Sequence, residues 1–110
     1  MEGKEICSYE GMFIIVPTLN EEAVEKALKG IEEVIKKHGG EIKEAQKWGK
    51  RRFTYRIKKH DEGVYYLIKF KCLPSAISEL RAVYKLDEDI LRVLIISVEN
   101  KDQAHGGQNG

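Results

Sequence analysis

The sequence predicts one α+β domain with the element order strand, helix, strand, strand, helix, strand. Three observations predict it: a β-branched apolar run, a long amphipathic stretch closed by two glycines, and two alternating segments around a polar turn. With right-handed crossovers, this order closes into a four-stranded antiparallel sheet with both helices on one face, the ferredoxin-like βαββαβ arrangement. A chain of 110 residues can bury one core but is too short for two.

The first strand and helix have clear limits. The strand runs from Cys7 to Val16, stops at Pro17 and is apolar enough to be central in the sheet. Asn20 is placed to cap the helix, and Gly39-Gly40 ends it, because glycine reaches the left-handed conformation at little cost. One helical face carries the apolar residues Val24, Ala27, Leu28, Ile31, Val34 and Ile35.

The second half of the chain supplies the remaining elements. A second strand starts near Glu41, and Gly49 within it is typical of a bulge. The segment 60–63 is predicted as a hairpin turn. The third strand, residues 64–72, directs Val64, Tyr66, Ile68 and Phe70 to one face. Pro74-Ser75 opens a helix whose inward residues are predicted to be Ile77, Leu80, Val83 and Tyr84, and the last strand covers residues 90–98.

This topology makes the first and third strands central antiparallel neighbours. Cys7 is then expected near Cys72, as two free thiols, because a reducing cytoplasm disfavours a disulfide. We expect the domain to span residues 7–99, between a flexible arm of residues 1–6 and a disordered, glycine-rich tail of residues 100–110. The absence of a long apolar run or signal peptide favours a cytoplasmic protein without membrane contact.

The stretch from Gln46 to Lys59 is the main candidate site. The net charge of the chain is only +1, yet 7 of these 14 residues are basic and none is acidic. Arg52 to Lys58 alternate between polar and apolar residues, so one strand face can present cations while Phe53, Tyr55 and Ile57 face a core. Arginine suits bidentate phosphate contact, which favours a polyanionic partner, whereas the alternative is an edge strand whose cations only prevent aggregation.

The sheet face away from the helices is a second candidate surface. It carries Met12, Ile14, Tyr65 and Leu67, with no cover predicted from the chain itself. A contiguous apolar patch indicates a protein partner, although a sheet face can also tolerate such residues without one. Trp48 fits either packing or recognition.

The basic stretch also carries a family resemblance. Four segments carry it: Tyr9-Glu10 and the residues up to Pro17, the segment Trp48-Gly49-Lys50-Arg51-Arg52-Phe53-Thr54-Tyr55-Arg56-Ile57, the hairpin Glu62-Gly63-x-Tyr65-Tyr66, and the strand at 91–95. Together they resemble the bacterial small-subunit ribosomal protein numbered six. The resemblance covers about residues 9–98. This sequence differs from the family at Arg56, where the family often has proline. Its tail also lacks the acidic end that some members have.

The resemblance implies a structural component of the small subunit that binds central-domain 16S ribosomal RNA together with the small-subunit protein numbered eighteen. The Arg51-Arg52 pair and its basic neighbours fall where the RNA-facing strand of that family lies. We expect RNA contacts from Lys50, Arg51, Arg52, Arg56, Lys58 and Lys59, and from Arg92 on the last strand. The uncovered sheet face, with Met12, Ile14, Tyr65 and Leu67, is the candidate site for the protein partner.

Three alternatives compete with this interpretation. An RNA-recognition module shares the strand order, but Glu62-Gly63-Val64 lacks the basic and aromatic residues of its diagnostic motif. An enzyme would need a set of catalytic side chains or an anion-binding loop at the start of a helix, and neither is evident in the sequence. We therefore expect no catalysis, cofactor or small-molecule substrate. The cysteines and histidines lack metal-ligand spacing. The third alternative is an RNA-independent protein-interaction module that uses the open sheet face.

Overall fold

A computed structural model describes residues 5–98, and it confirms the predicted order of elements. These are β1 (Cys7–Ile15), α1 (Glu21–Lys37), β2 (Glu41–Ile57), β3 (His60–Cys72), α2 (Ser75–Lys85) and β4 (Ile90–Val98). The strands form one antiparallel sheet in the order β2-β3-β1-β4, so β1 and β3 are central as predicted. The expected tail, residue 99 and most of the expected arm lie outside the described residues.

The helices form where their capping residues and apolar stripes predict. The Asn20 side chain accepts a hydrogen bond from the Ala23 backbone N–H at 2.7 Å, which caps α1. Gly39 has a φ of 84°, and the Gly40 N–H donates to the Ile35 carbonyl at 2.8 Å, which closes the helix in a Schellman-type turn. The predicted α1 stripe faces the sheet, with Val24, Leu28, Ile31 and Ile35 buried and Ala27 and Val34 partly buried.

The core lies between the helices and one sheet face. Phe13 from β1 meets Tyr84 from α2 edge to face, with ring centroids 4.9 Å apart. The Tyr84 hydroxyl donates to the Ile31 carbonyl at 2.7 Å, which ties the two helices together. The prediction that Val83 points inward is wrong: its side chain is 39% exposed, because α2 buries Ala76, Ile77, Leu80 and Tyr84 and Val83 lies beside that stripe.

The two cysteines lie at the end of the sheet opposite the hairpin. Cys7 and Cys72 are directly opposite each other in the β1–β3 register, and both are free thiols, as predicted. Burial raises the pKa of the Cys72 thiol, so this thiol stays neutral and unreactive.

The β2–β3 hairpin turns at a different place from the one predicted. Ile57 pairs with His60, so the turn consists of Lys58-Lys59, with φ of 49° and 73°, and not of residues 60–63. Two left-handed residues match the twist of the flanking strands in a two-residue hairpin. Lys58 and Lys59 adopt left-handed conformations, which glycine and asparagine adopt more readily. The residue types at these positions therefore did not indicate a turn. The last β1–β3 pair is Ile15 with Val64, so the hairpin extends beyond the central strands.

Candidate nucleic-acid interface

The extended hairpin bends over the sheet face that the helices leave open. Phe53 of β2 packs against Tyr65 of β3, with ring centroids 6.2 Å apart. Gly63 permits this close approach, because a Cβ at that position would lie 2.5 Å from Ile14 Cγ2 and 2.9 Å from Phe53 Cζ. Ile14 is consequently only 7% exposed. The expectation that this face lacks cover is therefore wrong at Ile14, which the chain's own hairpin buries.

Gly63→Ala is expected to destabilise the protein by about 1–3 kcal/mol, because the added methyl group overpacks Ile14 and Phe53. Thermal or urea unfolding measures the change. The matched control is Gly30→Ala in α1, where a Cβ meets nothing within 4 Å. That control should stabilise the protein by about 0.5–1 kcal/mol. Equal effects at the two glycines would contradict a close approach at Gly63.

All the cations predicted to bind RNA are exposed: Lys50, Arg51, Arg52, Arg56, Lys58, Lys59 and Arg92. The hairpin brings several of them together. Arg52 and Arg56 from β2 line one depression with Arg92 from β4, over Ile14 and Tyr65. Although two strands separate β2 from β4 in the sheet, the bend of the hairpin closes that distance. We call the depression lined by Arg52, Arg56 and Arg92 the basic groove.

Some of the basic stretch is already neutralised by the protein. Arg56 Nε donates to Asp61 at 2.9 Å, which lowers the pKa of that carboxyl and keeps the pair ionised. Lys50 lies 4.0 Å from Glu62, and Lys47 lies 2.8 Å from Glu25 of α1, on the helix side of the sheet. Lys47 therefore ties β2 to α1.

The remaining cations have no ion pair to any described acidic residue: Arg51, Arg52, Lys58, Lys59 and Arg92. The Arg51 guanidinium lies over the Trp48 ring, 5.5 Å from its centroid, which orients it without removing its charge. Exposed cations without an ion pair can contact an external polyanion without first breaking an interaction within the protein.

Tyr55 is not in the core, which corrects the prediction. Its side chain is 80% exposed, because the β2–β3 pairing is interrupted between Arg52 and Ile57 and the simple alternation of faces ends there. Tyr55 lines the basic groove beside the arginines. An exposed aromatic ring among cations is a surface on which an unpaired base can stack.

The rest of the open face forms an apolar patch, with a depression of about 470 Å³. Its apolar members are Met12, Leu67, Trp48, Leu94 and Ile96, and Glu10, Gln46 and Lys69 also line it. The predicted partner residues are thus divided: Met12 and Leu67 belong to this patch, whereas Ile14 and Tyr65 lie by the basic groove.

The sequence analysis missed two exposed members of the apolar patch. Leu94 is 60% exposed and pairs with Met12, and Ile96 is 49% exposed and pairs with Glu10. The sequence did contain the information needed to find them, because residues 92, 94 and 96 alternate along one strand and must lie on the same face of the sheet. Placing β4 beside β1 would have identified them.

Residues 5–98 give no support for a metal site or a membrane-spanning helix. Grouped His, Cys, Asp or Glu side chains that could hold a metal ion are absent from that range. Nor does that part of the chain include a helix long and apolar enough to cross a membrane.

Comparisons with known proteins identify what this chain is similar to. Residues 8–97 match the family model described as ribosomal protein S6. A small ribosomal subunit protein bS6 from Helicobacter acinonychis is 43% identical over 95 residues, which are 86% of this chain and 67% of that protein. The bS6 protein of Campylobacter lari is 41% identical over 86% of this chain and 77% of its own length. The crystal structure of 30S ribosomal protein S6 from Thermotoga maritima matches with a TM-score of 0.84 and 31% identity, covering 91% of this chain and 94% of that one.

Proposed function

This chain belongs to the ribosomal protein S6 family and is a structural component of the small ribosomal subunit, and from that premise we propose that it binds central-domain 16S ribosomal RNA together with the small-subunit protein numbered eighteen. The family places it with ribosomes in the cytoplasm. We further propose that its role is non-catalytic, needs no cofactor or small-molecule substrate, and is carried by residues 7–99.

The observation that supports RNA binding is the set of cations without acidic partners around the hairpin. Arg51, Arg52 and Arg92 can form bidentate contacts with phosphate oxygens, and Lys58 and Lys59 add point charges at the hairpin tip. Arg56 and Lys50 would exchange their acidic partners for phosphate or share them. Such contacts position RNA but do not read its bases, so the choice of site would come from RNA shape and the partner protein.

The apolar patch supports a protein partner. It adjoins the basic groove on the same sheet face, so a protein docked there would lie next to bound RNA. Leu94 and Ile96 provide exposed apolar area, and Glu10 and Lys69 lie at the patch as polar contacts that could fix orientation. The same patch favours the second candidate function, a protein-interaction module that does not need RNA.

Titration of the protein against a central-domain 16S RNA fragment tests the proposal, with and without the partner protein. With the partner present, we expect measurable affinity that falls about thirtyfold when the salt concentration doubles. That figure assumes seven phosphate contacts and a slope of about −0.7 per contact for single-stranded RNA. Without the partner, affinity should be weaker at every salt concentration.

Two other outcomes would contradict RNA binding as proposed. If the protein binds the partner tightly but neither form binds the RNA fragment, the interaction module replaces the RNA proposal. If RNA binds equally well at both salt concentrations, phosphate contacts through the hairpin are excluded as the main source of affinity.

A further inference from the structure

A separate depression of about 350 Å³ lies where the hairpin tip, α2 and β4 meet. Four cations line it: Lys58 from the tip, Arg81 and Lys85 from α2, and Arg92 from β4. Its other lining residues are Tyr84, Ile90, Leu91 and Val93, and none is acidic. We call it the α2 depression. Neither the sequence pattern nor the family resemblance pointed to Arg81 or Lys85.

The charges of the α2 depression are not neutralised by the part of the protein that the structure describes. None of its four cations lies within 4.0 Å of a described carboxylate. The acidic residues after α2 do not line it, and the Asp87 carboxylate instead accepts a hydrogen bond from the Asp89 N–H at 2.9 Å. Like charges gathered at one depression repel each other, and a bound anion would relieve that repulsion.

Arg81 is held in place by the sheet. Its Nη2 donates to the Ile95 carbonyl at 3.0 Å, in partly buried surroundings. Because β4 is an edge strand, this interaction fixes the guanidinium beside the strand's outer edge. Such a group is pre-organised and loses less conformational freedom on binding than a free side chain would.

We propose that the α2 depression binds a phosphate group of the RNA backbone and that Arg81 and Lys85 thereby extend the RNA interface onto α2. The inference rests on the proposed RNA-binding function and adds a contact surface to it. Continuity favours RNA as the occupant: Arg92 lines both the basic groove and the α2 depression, so one strand of RNA can follow the cations from β2 across β4 to α2.

Lys85 also has a structural role, since it lies in the last turn of α2 and complements the helix dipole. Lys37 has the same role in α1 and provides a matched control. The strand register places the two lysines at opposite ends of the sheet. α1 ends near the Cys72 end, and α2 leads to Ile90, which pairs with Ile15 near the hairpin.

The test compares Lys85→Gln, Arg81→Gln/Lys85→Gln and Lys37→Gln, each with the partner protein and the central-domain RNA fragment. We expect Lys85→Gln to weaken RNA binding about threefold, and the double variant about tenfold. The slope of log affinity against log salt should fall by about 0.7 and about 1.4 respectively, while Lys37→Gln leaves affinity and slope unchanged. Lys85→Gln keeps the test decisive if loss of the Arg81–Ile95 bond destabilises the double variant.

Each alternative outcome has a distinct meaning. If wild-type protein binds RNA but Lys85→Gln retains its affinity and salt slope, the α2 depression is not an RNA site. If the α2 variants bind RNA normally but lose affinity for the partner protein, the depression takes an acidic protein segment and the inference is overturned. If wild-type protein fails to bind RNA at all, it is the proposed function that fails.

Discussion

Replacing Arg51 and Arg52 with alanine is expected to weaken binding of the RNA fragment about a hundredfold at moderate salt. Each side chain is exposed and forms no ion pair within 4.0 Å of a described carboxylate, although the charge of Arg52 helps to lower the pKa of Asp61, so each can contact phosphate without breaking an ion pair. Two lost charge-assisted contacts at about 1.5 kcal/mol each correspond to that factor, since about 1.4 kcal/mol is tenfold. Filter binding or fluorescence anisotropy with the partner protein present measures it.

The same double variant should remain folded. Arg51 loses its contact with Trp48, worth about 0.5–1 kcal/mol at an exposed site, and Arg52 loses no hydrogen bond to a described residue. Lys36→Ala/Lys37→Ala, in the last turn of α1, removes the same charge far from the hairpin and should bind RNA as wild type does. A large fall in thermal midpoint with RNA affinity intact would show that the arginine pair is structural.

The fold could be predicted because local and global signals agree. The Asn20 cap, the apolar stripe of α1 and Gly39 limit one helix, and alternation in β3 identifies its buried face. Strand order then follows from the handedness of the crossovers. The bulge at Gly49, with φ of 94° and a register shift beside it, was also readable from the sequence.

The candidate site was less predictable because it depends on how the hairpin bends. Alternation placed Tyr55 in the core, but the interrupted pairing after Arg52 exposes it. The role of Gly63 depends on Ile14 and Phe53 both lying against it, and Ile14 is distant from Gly63 in sequence. Sequence reasoning found the cations, but not which of them Asp61, Glu62 and Glu25 neutralise.

Leu94→Asp is expected to weaken binding of the partner protein at least a hundredfold. Leu94 lies in the apolar patch opposite Met12, and a carboxylate there would be desolvated when a protein covers the patch. Lys69 also lines the patch, but its ammonium already pairs with Glu44 at 3.6 Å. The free protein should tolerate the change, because the Leu94 side chain is already 60% exposed to water. Isothermal titration with the purified partner protein, alongside thermal unfolding, separates the two effects.

Leu86→Asp is the matched control, since this leucine is 83% exposed and follows α2, away from the open sheet face. It should bind the partner as wild type does. If Leu94→Asp retains partner affinity but loses RNA affinity, the apolar patch with Trp48 is a base-stacking surface instead, as in RNA-recognition modules. If both aspartate variants lose the partner equally, added negative charge and not the loss of an apolar contact explains the result. The two variants together therefore determine whether the apolar patch binds protein, RNA or neither.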